Sequence, residues 1–122
     1  MKILVVEPGK EPYVTEITGD SKSMEDVVGG ETFIAYGGPQ VVLICNNEIN
    51  PLNLEGDPSK LNENRIYWDK MIYGTFFIVG VKFIKNENYN ESEVSSEPEF
   101  SNFEYMSLSD FDIDTYSKFF QL

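Results

Sequence analysis

The stretch Tyr73-Gly74-Thr75-Phe76-Phe77-Ile78-Val79-Gly80-Val81-Lys82-Phe83-Ile84 decides the fold. It is dense in aromatic and β-branched residues, which lose side-chain freedom in a helix and pack well on a pleated surface, so it reads as the dominant strand of a sheet. Outward from it, Lys2-Ile3-Leu4-Val5-Val6-Glu7 is a second continuous apolar run of strand length, the pattern of a strand covered on both faces. Pro8-Gly9 supplies the residue pair of a type II turn, and Tyr13 to Thr18 follows as an antiparallel partner.

Between these runs, Gly19-Asp20 breaks the chain, Ser21 or Ser23 caps a short helix through Met24 to Val28, and Gly29-Gly30 ends it. Glu31 to Tyr36 and Gln40 to Cys45 flank the turn Gly37-Gly38-Pro39 as a second hairpin, with Thr32, Ile34 and Tyr36 expected on one side. Asn46 to Asn64 has no sustained period and is rich in asparagine, so it reads as a long connection with one helical turn after Asp57-Pro58. Arg65 to Ile72 fits a short helix and an extended stretch equally. Leu108 and Ile113 stand at staple positions around Ser109, with Asp110 and Asp112 in a first helical turn and Tyr116, Phe119 and Phe120 at helical spacing. The expected fold is one α+β domain over residues 1–122: a small, mostly antiparallel sheet of about five strands, a short helix and a C-terminal helix.

Composition narrows the chemistry. Hydrophobic residues at 41% and aromatics at 14% are enough for a packed core. No run approaches the roughly 18 apolar residues of a membrane span, and the opening lacks a signal-peptide pattern, so a host-cytoplasmic protein without membrane contact is expected. Cys45 stands alone inside an apolar run and is expected to be a buried thiol. The chain has no histidine, which removes the commonest general base, the usual metal ligand and every Ser-His or Cys-His nucleophile pair. No phosphate-cradling glycine motif is present. Asp110, Asp112 and Asp114 lack the glycine and distal glutamate of a calcium loop and suit a helix start instead. Glu7, at the end of the first strand, reads as an exposed hairpin-end acid in preference to a cleft residue. No catalytic residue, metal ligand or cofactor is assigned.

The net charge is −12, and it is unevenly spread: residues 86–122 hold 9 acids against 1 base. Such a field repels phosphate backbones and suits a basic protein partner, including one whose own site is built for nucleic acid. The acidic segment 86–102, expected as a mobile loop, would carry that field through Glu87, Glu91, Glu93, Glu97 and Glu99. Tyr67, Trp68, Tyr73, Phe76 and Phe77 lie near the single arginine, Arg65. An aromatic face with Arg65 and Lys60 is the natural way to hold base and phosphate, so Lys60, Arg65 and Trp68 form the alternative, a small-ligand site. The aromatic strand as a sheet edge would pair across a homodimer.

The opening MKILVVEPGKEPYVTEI, the segment MEDVVGG at Met24 to Gly30, the strand GTFFIVG at Gly74 to Gly80 and the ending SLSDFDIDTYSKFF together resemble an uncharacterised domain family of small proteins carried by phages and conjugative elements of Gram-positive bacteria. That family commonly shows Pro-Leu-Asn-Arg before the aromatic strand, where this chain reads Pro58-Ser59-Lys60-Leu61. Small acidic proteins of such elements often counter host defence. The resemblance therefore implies a non-catalytic inhibitor of anti-CRISPR or anti-restriction type that binds a host defence protein with a basic surface. The alternative is a binder that sequesters a nucleotide immune signal.

Overall fold

Successive side chains of a strand point to opposite faces, so an uninterrupted apolar strand needs cover on both. The computed structural model describes residues 1–83 and 103–122 and provides that cover. Strands β1 (Lys2–Val6), β4 (Val41–Asn46) and β7 (Phe76–Phe83) form the middle of an antiparallel sheet, flanked by β2 (Tyr13–Glu16) and β3 (Thr32–Gly37) in the order β2-β1-β7-β4-β3. Cross-strand registry sorts the core into two layers. Leu4, Ile78 and Leu43 align on one face, and Val5, Phe77 and Ile44 on the other.

The second face is covered by helix α1 (Ser21–Val28), through Met24 and Val28. The first is covered by helix α2 (Asp110–Phe119), through Ile113 and Tyr116, with Leu108 before it and Phe120 after it, and by a two-stranded hairpin of β5 (Glu63–Tyr67) and β6 (Lys70–Tyr73), through Ile72 and Tyr67. The architecture is the expected α+β, with six strands in the main sheet against about five expected.

The sixth, β8 (Phe103–Met106), pairs with the C-terminal half of β7 on the flank that β1 occupies further back. The Leu108 N–H donates to the Lys2 carbonyl at 2.9 Å and joins the two ends. Gly80 makes this crossing feasible, since a Cβ there would stand 3.0 Å from the Met106 and Ser107 carbonyl oxygens.

Several local expectations are met. Gly9 (φ 74°) completes the turn in which Lys10 N–H donates to Glu7 carbonyl, and Gly29 (φ 81°) ends α1. Ser109 caps α2 by accepting from Asp112 N–H at 3.1 Å.

Others are corrected. Asp20, not Ser21 or Ser23, caps α1, because its carboxylate accepts from Ser23 N–H at 2.8 Å. The aromatic strand begins only at Phe76, since Gly74 takes φ 79° and leaves Tyr73 in the separate hairpin. That strand is also central, hydrogen-bonded on both sides, so it offers no edge for a dimer. A bulge between Ile34 and Tyr36 breaks the alternation of β3, so Tyr36 turns to the α2 face with Phe33 while Ile34 points away. Asn46 to Asn64 is the expected long connection with a helical turn at Pro58–Lys60, and it is further tied by side-chain turns in which the carboxamide oxygens of Asn46, Asn50 and Asn53 accept from backbone N–H groups two residues on. The acidic segment 86–102, with its mobile-loop expectation, lies outside the described residues.

Candidate functional site

The β5–β6 hairpin closes through two residues, Trp68 and Asp69, with Tyr67 paired to Lys70. Trp68 has φ 61° and is the one non-glycine residue with positive φ among the described residues. That conformation costs an L-residue roughly 1–2 kcal/mol, and a glycine would remove the cost. The indole does not recover it by burial, because Trp68 is 81% exposed. A strained backbone that presents a large aromatic ring to water points to a use outside the fold.

The ring is not isolated. Tyr67 is the hub of an aromatic group, its centroid 4.5 Å from Tyr36, 6.0 Å from Trp68, 5.6 Å from Phe119 and 5.8 Å from the buried Phe120. Phe119, expected with Phe120 on the packed face of α2, is instead 59% exposed, with its ring edge-on to Tyr67. Tyr36, Tyr67 and Tyr116 line a cleft of about 80 Å³ floored by Val41, Leu43 and Ile78. Burial pushes the Tyr36 and Tyr116 phenols upward. Asp69 and Tyr67 add to the shift at Tyr36, and Tyr67 and Asp112 at Tyr116. Tyr36, Tyr67 and Tyr116 thus share one cleft.

The hairpin is held in place by side chains that bind carbonyls. Asn64 Nδ2 donates to the Val6 and Gly74 oxygens at 2.9 and 2.8 Å. Arg65 donates from Nε to Phe120 carbonyl at 2.9 Å, from Nη2 to Lys10 carbonyl at 2.6 Å and from Nη1 to Asn64 Oδ1 at 2.8 Å. The guanidinium is thus spent on the fold, tying the end of α2 to the β1–β2 loop. Burial draws its pKa down, while Glu11 opposes that.

The structure therefore separates the three residues of the small-ligand reading. Arg65 is a structural clamp, Trp68 stands at the hairpin tip, and Lys60 lines a different cleft of about 370 Å³ with Glu7, Lys10, Asn62 and Thr75. Glu7 is half-buried and lines that cleft, 3.8 Å from Lys10 Nζ, so it is not the exposed hairpin-end acid of the sequence reading. Glu87, Glu91, Glu93, Glu97 and Glu99 lie outside the described residues. Among the described residues, no three Cys, Asp or Glu side chains are grouped to hold a metal ion, and no helix is long and apolar enough to cross a membrane. An apolar groove of about 410 Å³ between Ile34, Pro39, Val81, Phe83 and Phe103 carries no assignment, because Phe83 and Phe103 adjoin the undescribed segment.

Sequence reasoning singled out Trp68 and Tyr67 but not Tyr36, which depends on the bulge in β3, nor the exposure of Phe119. A tryptophan next to an aspartate is no turn signal, so the tip itself is silent in the sequence.

Residues 1–96 match a family model described as Domain of unknown function (DUF3846). Comparison with curated proteins and with solved structures gives no match.

Proposed function

The chain belongs to the DUF3846 family of domains of unknown function, and from that premise we propose that it is a non-catalytic binding protein whose target is a protein with a basic surface. Trp68 carries the reading: a strained, water-facing tryptophan edge-on to Tyr67, which also packs on the exposed Phe119, is the composition of an interface hot spot. The net charge of −12 supports a basic partner by steering and by complementarity at the rim. The absence of histidine from the sequence supports binding over turnover.

The biological form of this proposal is an inhibitor, from a phage or mobile element, of a host defence protein of CRISPR or restriction type acting in the host cytoplasm. Glu87, Glu91, Glu93, Glu97 and Glu99 add to its acidic field. The test is plating of a targeted phage on cells that carry such a system and express this chain. Wild type raises plating efficiency, and Trp68→Ala with Phe119→Ser lowers the gain about tenfold or more while the variant remains folded, as loss of a hot spot requires. Equal behaviour of the wild type and the variant contradicts the reading.

A second reading rests on the cleft between Lys10 and Lys60. Its volume of about 370 Å³ falls within the range of small-ligand sites, from about 300 to 1,000 Å³. There the chain would sequester an anionic nucleotide signal, and a rise in melting temperature with cyclic nucleotides is the check.

A further inference from the structure

The tyrosine cleft has a size and lining that restrict its occupant more closely than the surface above it does. Its volume is about 80 Å³. This is far below the roughly 300 Å³ where sites for free small molecules begin. The occupant is therefore a side chain or a fragment of that size. The floor of Val41, Leu43 and Ile78 suits methylenes, and the walls are the rings of Tyr36, Tyr67 and Tyr116. Aromatic faces attract a cation through their quadrupoles, most strongly where water is excluded.

Resting on the proposed binding of a basic protein, we propose that the cleft between Tyr36, Tyr67 and Tyr116 receives one lysine or arginine side chain of that partner. Its methylenes lie on Leu43 and Ile78, and its charged head meets the phenol rings. Asp69, two residues from Tyr67 at the hairpin tip, and Asp112, one helical turn before Tyr116 on α2, supply negative charge beside the cleft. The anchor thus combines an apolar sleeve, aromatic walls and two carboxylates, a set that rejects acidic and phosphorylated groups.

The test uses the full-length chain and three acetylated, amidated tripeptides, Gly-Arg-Gly, Gly-Lys-Gly and Gly-norleucine-Gly, monitored by NMR of the tyrosine rings. The expected result is saturable shifts of the Tyr36, Tyr67 and Tyr116 signals with at least one cationic peptide, weakening with salt, and none with norleucine at the same concentrations. Equal shifts with norleucine, or no shift with any peptide, overturn the proposal. Asp69→Asn at the exposed hairpin tip and Asp112→Asn in the first turn of α2, where the side chain also accepts from the Ser109 hydroxyl and circular dichroism must show the helix retained, are each expected to weaken the cationic peptide several-fold; unchanged affinity in both folded variants overturns the role given to these carboxylates. Capture of a basic protein through Trp68 without these ring shifts would leave the proposed function standing and remove only the cleft.

Discussion

Arg65 donates its Nε–H to the carbonyl oxygen of Phe120 at 2.9 Å, so a residue from the small hairpin caps the last turn of a helix 55 positions further along the chain. The last carbonyls of a helix lack intrahelical donors, and a cation there also opposes the negative end of the dipole. The same guanidinium holds the Lys10 carbonyl, so three elements depend on its planar fork. Arg65→Lys keeps the charge and loses the fork. It is expected to lower stability by about 1–3 kcal/mol, the cost of leaving the part-buried Phe120 carbonyl without its donor. Urea unfolding followed by circular dichroism checks this, and an unchanged midpoint would show the clamp to be dispensable.

Cys45 is fully buried, and desolvation pushes its thiol up to about 12. An unfolded thiol ionises near 8.5. The folded state therefore favours the protonated form, and this contribution is complete below about pH 8.5 and is lost as pH rises toward 12. The slope approaches about 1.4 kcal/mol per pH unit within that window. The raised phenols of Tyr36, Tyr105 and Tyr116 act in the same direction at higher pH. Cys45→Val isolates the thiol: its stability is expected to fall less between pH 8.5 and 10 than that of wild type. The native thiol should also resist alkylating reagents at pH 8 until denaturant is added.

The Asp20 carboxylate accepts from Ser23 N–H and from the Thr18 hydroxyl, and these bonds, led by the one from the Ser23 backbone, hold its pKa below the usual carboxylate range. A lowered folded pKa means stability that is present above the unfolded value and disappears as pH falls through the folded one. Asp20→Asn, which still caps a helix, is expected to flatten the acid side of the stability curve without changing it at neutral pH. Stability of the two proteins measured between pH 2 and 7 gives the comparison.

The parts of the fold legible in the sequence are those in which one strand or helix carries its own signal. Leu4 to Val6 and Phe76 to Val81 are apolar at every position because they are covered on both faces. Leu108, Ser109 and Ile113 announce α2 through a staple and a cap. What depends on a distant partner is silent. Phe103–Met106 is a strand only because the C-terminal half of β7 offers an open flank across a gap of 19 residues. Glu63–Tyr67 is polar and folds as a strand because Asn64 and Arg65 find carbonyls on β1, α2 and the loop between β1 and β2. The candidate site divides in the same way. Trp68 was legible as an anchor by residue type, whereas Tyr36 reaches it only through a bulge.

At the hairpin tip, fold and function are expected to pull apart. Trp68→Gly relieves a positive φ and removes a ring that covers little, so stability is expected to stay level or rise by up to about 1 kcal/mol. A loss beyond about 1 kcal/mol, measured by denaturant unfolding, would assign Trp68 to the fold instead.

Trp68 is the single tryptophan of the chain, so incorporating 5-fluorotryptophan places one fluorine reporter on the proposed contact and leaves any partner silent. Titration with a basic protein captured as a partner of this chain is expected to move that fluorine resonance to a new, saturable position as the indole leaves water. A partner that binds at stoichiometry while the resonance stays where it is in the free protein would contradict the claim that binding is built on Trp68.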